Sequence, residues 1–113
     1  MYNYNAKLVR VVDADTIDVS IDLGFDIWIK ERVRLRGINA PEKRTKDLEE
    51  KRRGIEAESF VLQMFTEHGT EFVIVTEYDR GKYGRTIGNI LFSNGKNLSD
   101  LLLESGHAVP YPS

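Results

Sequence analysis

Strict alternation of apolar and polar side chains over residues 16–23 is the feature that most limits the fold of this chain. The apolar residues occupy one parity and the polar residues the other, as Ile17, Val19, Ile21 and Leu23 alternate with Thr16, Asp18, Ser20 and Asp22. Successive side chains of a strand point to opposite faces, so this stretch predicts a strand with one face in the core.

The segments around this strand predict a barrel with two helices. Further strands are predicted at residues 6–12, 27–38, 71–78 and 85–92, and helices at residues 55–68 and 98–105. The first helix is amphipathic, with apolar residues at i, i+3, i+4, i+7 and i+8, namely Ala57, Phe60, Val61, Met64 and Phe65.

This order of elements matches the OB-fold, a mainly β class with helices (α+β by element count). We expect a single domain over residues 1–113: a five-stranded barrel with a helix between strands 3 and 4 and a short C-terminal helix. The charged run at residues 43–53 is a solvated loop or the outer face of a helix. Within it, the spacing of Asp47 and Glu50 resembles a capping box, which allows a helix to begin there.

Composition excludes several classes of function. The chain has no cysteine, so it has no thiolate nucleophile, disulfide or cysteine metal site. It has no apolar run long enough to span a membrane and no visible signal peptide, so we expect a cytoplasmic protein. The net charge of −2 argues against a protein that coats nucleic acid, but ten of the sixteen Lys and Arg residues lie between positions 30 and 53. Such a local cluster can hold a few phosphates.

A row of three arginines leads into a turn that carries oxygen ligands. Arg32, Arg34 and Arg36 stand two apart, so on a strand they share one face. Asn39 and Glu42 follow at the turn, where Gly37 and Pro41 break the strand. The pattern suggests a site for a phosphate and a cation, and the alternative is a solvated edge strand followed by a loop.

Two further charged residues are predicted at strand ends. Asp15 opens the second strand and Arg85 opens the fifth. Asp15 is either a partner of a cation at the mouth of the core or a turn residue that caps backbone N–H groups. An acid, two arginines and a loop of oxygens are what metal-assisted phosphodiester hydrolysis needs.

The chain resembles the staphylococcal nuclease family over roughly residues 7–108. The resemblance rests on three motifs in order and on the helix that starts at GIEAESF; the motifs are VVDADTIDV, RLRGINAPE and GKYGRTIG. It implies an OB-fold enzyme that uses Ca²⁺ to cut DNA and RNA. The compactness of the chain resembles phage-encoded members, which would act in the host cell.

The resemblance also implies roles for individual residues. Asp15 matches a metal ligand, Arg34 and Arg85 match two phosphate-binding arginines, and Glu42 matches a candidate general base. Ala40 would ligate the metal through its carbonyl oxygen, and the implied substrate-binding residues are Lys82, Tyr83 and Tyr111. Asn39 stands where the family usually has an aspartate as second metal ligand, which removes one negative charge.

Two classes of function therefore compete. The first is a divalent-cation-dependent nuclease, and the second is a catalytically weak OB-fold module that binds nucleic acid or a protein. A binding module would be expected to lose the arginine pair or the glutamate first. Arg34, Glu42 and Arg85 are all present, which favours the enzyme.

Overall fold

A closed five-stranded barrel forms the body of the protein. The computed structural model describes residues 2–80 and 86–112, with the side chains of residues 78–80 left out. The elements are β1 (Tyr2–Asp13), β2 (Thr16–Asp22), β3 (Trp28–Leu35), β4 (Ile38–Asn39), α1 (Leu48–His68), β5 (Glu71–Arg80), β6 (Thr86–Leu91), α2 (Leu98–Glu104) and β7 (Val109–Pro110). The barrel order β1-β2-β3-β6-β5 confirms the predicted fold class, with α1 between the third and fourth barrel strands.

The alternation in β2 places the core as the sequence predicts. Ile17 and Val19 are fully buried and Ile21 is nearly so. Leu23, which has the same parity, is exposed because β2 ends at Asp22 and the chain turns. The apolar face of β2 therefore covers the barrel interior only as far as Ile21.

The predicted third strand is broken into two elements. β3 ends at Leu35, and Gly37 has a φ of +80°, a conformation that a residue with a side chain adopts only with strain. The short β4 follows and pairs with β7, so that the chain after α2 returns to the end of β3. This pairing brings the C-terminal segment beside the residues that follow the arginine row.

Helix α1 begins inside the charged run. The carboxylate of Asp47 accepts hydrogen bonds from the backbone N–H groups of Glu49 and Glu50 at 3.0 and 3.2 Å, which makes it the N-cap. The helix ends at Gly69, whose N–H donates to the carbonyl of Phe65. Its buried residues are Gly54, Ala57, Val61, Met64 and Phe65. The predicted helix is thus confirmed and extended by two turns at its start.

No helix within the described residues is long and apolar enough to cross a membrane.

The N-cap of α1 gives a first stability prediction. We expect Asp47→Ala to lower the free energy of unfolding by about 1 kcal/mol, because two backbone N–H groups lose their acceptor. Asp47→Ser should retain most of the stability, since a hydroxyl also caps. Urea denaturation of the three proteins measures the difference, and an alanine variant as stable as the wild type would contradict the capping role.

A surface ion pair between β2 and β3 gives a second stability prediction. Asp18 accepts two hydrogen bonds from Arg32, at 2.8 and 3.1 Å, and Arg10 lies 3.7 Å away. The hydrogen bonds from Arg32 hold the pKa of Asp18 below its usual value, against a smaller opposing effect of burial. A depressed carboxyl pKa contributes stability above the unfolded value of about 4, and this is lost as the pH falls through the folded value.

Asp18→Asn should therefore lower the melting temperature at pH 7 by a few degrees at most, since exposed pairs are weak. The difference from the wild type should shrink as the pH falls below about 4, where the wild-type carboxylate also loses its charge. Asp26→Asn, at an exposed turn, is the matched control. Thermal melts across pH test this, and a deficit that persists at low pH would mean that Asp18 acts through its shape and not its charge.

Candidate active site

The turn between β1 and β2 places Asp15 at the end of the barrel. Its carboxylate accepts the backbone N–H of Ala40 at 3.0 Å and the hydroxyl of Thr16 at 3.0 Å. Its carbonyl accepts the N–H of Leu35 at 2.8 Å. Asp15 therefore joins three segments of the chain: the β1–β2 turn, the end of β3 and the residue that follows β4.

Arg34 lies against this carboxylate. Its Nη1 atom is 3.5 Å from the Asp15 carboxylate and donates to the carbonyl of Leu35 at 3.2 Å. Its Nη2 atom donates to the side-chain oxygen of Asn39 at 3.3 Å. The side chains of Arg34 and Asp15 are 17% and 14% exposed, so the pair is partly withdrawn from water but open to a ligand.

The C-terminal segment reaches the same arginine. The N–H of Tyr111 donates to the carbonyl of Gly37 at 2.9 Å, which continues the pairing of β7 with β4. The aromatic ring of Tyr111 lies over the guanidinium of Arg34, with 5.8 Å between Cζ and the ring centroid. The attraction between a cation and the face of a ring favours this arrangement.

Glu42 is exposed in the loop that joins β4 to α1. With Asn39 and Ala40 it lines a groove of 660 Å³ that continues between α1 and the segment after α2. Side chains of both signs line the α1 wall of the groove, among them Arg52, Arg53, Glu50 and Glu56. The groove adjoins the Asp15–Arg34 pair through Asn39, which accepts a hydrogen bond from Arg34, and Ala40, which donates one to Asp15.

The predicted site residues divide into two groups. The structure brings Asp15, Arg34, Asn39, Ala40 and Tyr111 together, and Glu42 lines the same groove as Asn39 and Ala40. Lys82, Tyr83 and Arg85 lie outside the described residues, so their roles stay predictions. Of the other arginines in the row, Arg32 pairs with Asp18 on the barrel wall and Arg36 is partly buried.

The resemblance implies that Asp15, Asn39 and Ala40 hold a metal ion, and the donors present can be compared with that expectation. Within residues 2–80 and 86–112, no group of three or more acidic, histidine or cysteine side chains could hold a metal ion. The available donors are the carboxylate of Asp15, the amide oxygen of Asn39 and the carbonyl of Ala40, which are the ligand types that Ca²⁺ prefers. They carry a single negative charge, and Arg34 contacts two of the three residues.

A second group of charged residues surrounds Asp13, at the end of β1. Burial raises the pKa of Asp13 above its usual value, as does the nearby charge of Asp15, while Lys43 and Arg44 act in the opposite direction. Lys43 forms an ion pair with Glu58 of α1, and both side chains are about three-quarters buried. Sequence analysis missed this pair, because Lys43 belongs to a charged run of the kind that is usually solvated.

Comparison with known proteins identifies the family. The family model described as "Staphylococcal nuclease homologue" matches residues 32–113. The chain is 38% identical to "Protein ParB" of Escherichia coli over 84 residues, which cover 74% of this chain and 40% of that protein. It is 30% identical to an "Uncharacterized endonuclease" of Escherichia coli O157:H7 over 107 residues, which cover 95% of this chain and 61% of that protein.

The chain thus spans about 40% to 61% of the length of these relatives. Asp15 precedes the residues matched by the family model, and its contacts with Arg34 and Ala40 connect it to the matched part. The barrel and the match over residues 32–113 lead to one conclusion. The chain belongs to the staphylococcal nuclease homologue family.

Proposed function

We propose that the protein is a nuclease that hydrolyses phosphodiester bonds of DNA, RNA or both, with Ca²⁺ or another divalent cation as cofactor. The observation that carries the proposal is the partly buried Arg34, held by Asp15 and by Asn39, and Asn39 itself lines a groove. Membership of the family and the relative named as an endonuclease support it.

Arg34 provides the phosphate ligand in this proposal. A guanidinium presents its N–H groups in a planar fork that matches two phosphoryl oxygens, and it keeps its charge at any physiological pH. Contacts with Asp15, Asn39 and the Leu35 carbonyl fix the fork before a substrate arrives. Such preorganisation stabilises the charge that develops on the phosphoryl oxygens in the transition state.

Glu42 acts on the water that attacks phosphorus. A carboxylate within hydrogen-bond reach of a water can orient it or accept its proton, and the exposed Glu42 lies on the same groove as Asn39 and Ala40. By family position, Arg85 is a second phosphate ligand, and Lys82 and Tyr83 bind the substrate. Tyr111, which covers Arg34, is placed to contact the nucleotide whose phosphate Arg34 binds.

Asp15, Asn39 and Ala40 would hold the cation. A divalent cation supplies positive charge to the phosphate and lowers the pKa of a bound water. The site offers one carboxylate and two neutral oxygens, so the affinity for the cation should be weaker than at a site with two carboxylates.

A binding module is the second candidate, and Asn39 is the observation in its favour. An amide in place of the usual carboxylate removes charge from the cation site, while Arg34 stays able to hold a phosphate. A cleavage assay separates the two functions: labelled single- and double-stranded DNA and RNA are incubated with Ca²⁺, Mg²⁺ or a chelator. Cleavage that the chelator abolishes supports the enzyme, and binding without cleavage in any metal supports the module.

The arginine row gives a prediction about the phosphate ligand. We expect Arg34→Lys to lower kcat/KM by roughly 10²-fold or more, because a lysine keeps the charge beside Asp15 but loses the fork. The fold should survive, since Asp15 keeps a cationic partner. Arg32→Lys, on the same strand face but paired with Asp18, is the matched control and should cleave almost as well as the wild type. Equal losses in the two variants would mean that the row acts only by steering the substrate.

The residue at position 39 gives a prediction about the cation. Asn39→Asp should tighten Ca²⁺ binding at least roughly tenfold, about 1.4 kcal/mol, because it adds a carboxylate to the ligand set. Activity at limiting Ca²⁺ should rise. Calorimetric titration measures the affinity, with Asn3→Asp on the exposed start of β1 as a control for added charge.

The same variant gives a prediction about how much Ca²⁺ raises the melting temperature. A second carboxylate beside Asp15 adds repulsion, although the hydrogen bond from Arg34 would then be charge-assisted. Because the variant should bind Ca²⁺ more tightly, Ca²⁺ should raise the melting temperature more for Asn39→Asp than for the wild type. Equal Ca²⁺ affinity and an equal rise in melting temperature for both proteins would show that Asn39 is not at a cation site.

A further inference from the structure

Helix α1 touches the loop that carries Glu42 at a glycine. Gly54 is buried, and a Cβ atom added to it would lie 2.6 Å from the carbonyl carbon of Glu42 and 2.7 Å from its oxygen. It would also lie 2.7 Å from the backbone nitrogen of Lys43. These separations are shorter than van der Waals contact permits, so the peptide between Glu42 and Lys43 rests directly on the helix backbone.

The backbone conformation of α1 does not require a glycine at position 54. Gly54 is not among the described residues with positive φ, and glycine is among the least favourable residues in a helix interior. A glycine at such a position is explained by close approach of another backbone. At Gly54 that backbone is the Glu42–Lys43 peptide.

Lys43 and Glu58 make a second anchor one turn further along α1. Residues four apart on a helix lie on the same face, so Glu58 follows Gly54 toward the loop. The ion pair between Lys43 and Glu58 is partly buried, where truncation of one partner leaves the other charge poorly solvated. The charge of Lys43 also acts to lower the pKa of Asp13, at the end of β1.

Glu42 is therefore fixed from both sides. Two residues before it, the N–H of Ala40 donates to the carboxylate of Asp15. One residue after it, Lys43 is held by Glu58 and lies against Gly54. The backbone of an exposed loop residue is thus held at both ends, which limits where its carboxylate can reach.

We propose that Gly54 and the Lys43–Glu58 pair are positioning residues that hold Glu42 in place for hydrolysis. The proposal rests on the nuclease function above. A shift of about 1 Å in a catalytic group can cost roughly 10²-fold in rate, and a methyl group on Gly54 forces a displacement of the Glu42–Lys43 peptide. The effect belongs to the chemical step, since neither Gly54 nor Glu58 contacts the phosphate ligand Arg34.

Gly54→Ala tests the close approach. We expect kcat on a short oligonucleotide to fall at least roughly tenfold while KM changes less than about twofold. Ser59→Ala, on the exposed face of α1, is the matched control and should leave both constants unchanged. Circular dichroism and thermal melts show that each variant is folded under the assay conditions.

A double-mutant cycle shows whether the loss acts through Glu42. In a Glu42→Gln background, Gly54→Ala should cause little further loss, because the group that it displaces is already removed. An undiminished loss in that background would overturn the positioning role, as the methyl group would then act elsewhere.

Glu58→Gln tests the second anchor and covers the case in which Gly54→Ala does not fold. It removes the charge that holds Lys43 without adding volume, and we expect a fall in kcat of several-fold that also disappears in the Glu42→Gln background. Lys43→Met should behave like Glu58→Gln, and Lys43→Arg, which keeps the ion pair, should restore most of the activity.

The outcomes separate this inference from the proposed function. A wild type that cleaves nucleic acid, together with Gly54→Ala and Glu58→Gln variants that cleave equally well, would overturn the positioning role alone. A wild type that cleaves nothing in any metal would contradict the nuclease function, and the positioning role with it.

Discussion

The geometry of the candidate site depends on the contacts of one group, the carboxylate of Asp15. It accepts a backbone N–H from Ala40, accepts the hydroxyl of Thr16 and faces the guanidinium of Arg34. A partly buried carboxylate is costly unless its lone pairs find donors, and here each donor comes from a different part of the chain or from its immediate neighbour. The order of the loop after β4 and the orientation of Arg34 thus follow from the need to satisfy a single acid.

The amide at position 39 changes the balance of charge around that acid. Asp15 and Arg34 neutralise each other, and Asn39 adds an acceptor for Arg34 without adding charge. With an aspartate there, the arginine would stand between two carboxylates and be held more strongly. The amide leaves Arg34 oriented but less tightly bound, which in the proposed function would favour exchange of its partners for a phosphate. If the proposed cation binds here, the amide also weakens its attraction, so one residue would have opposite effects on phosphate and cation binding.

Sequence predicted the barrel because its signals are local. The alternation in β2, the helical period of α1 and the capping residue Asp47 each act within a few positions, and each is found where it was expected. Glycines and charged runs carry less information about the fold, because their contacts are made with distant parts of the chain. A glycine in a helix and a lysine beside other charges look ordinary in a sequence, and only the path of the loop shows that Gly54 and Lys43 meet across α1. Asp15 is expected either to partner a cation or to cap backbone N–H groups, and the structure shows both, with Arg34 as the cation and Ala40 as the N–H donor.

The loop that carries Glu42 shows how an exposed residue can still be well positioned. In the proposed function its side chain needs access to water and substrate, and it is exposed and so not fixed by burial. Its backbone can be fixed instead, through contacts made by residues on either side that are themselves partly or fully buried. The contacts that fix this backbone come from α1 and from the β1–β2 turn, which pack against the core. Beyond Lys43 the charged run continues to Asp47, where the helix cap fixes the chain again. The position of the Glu42 backbone therefore rests on neighbours that lie in or against the core, while its side chain stays exposed on the groove.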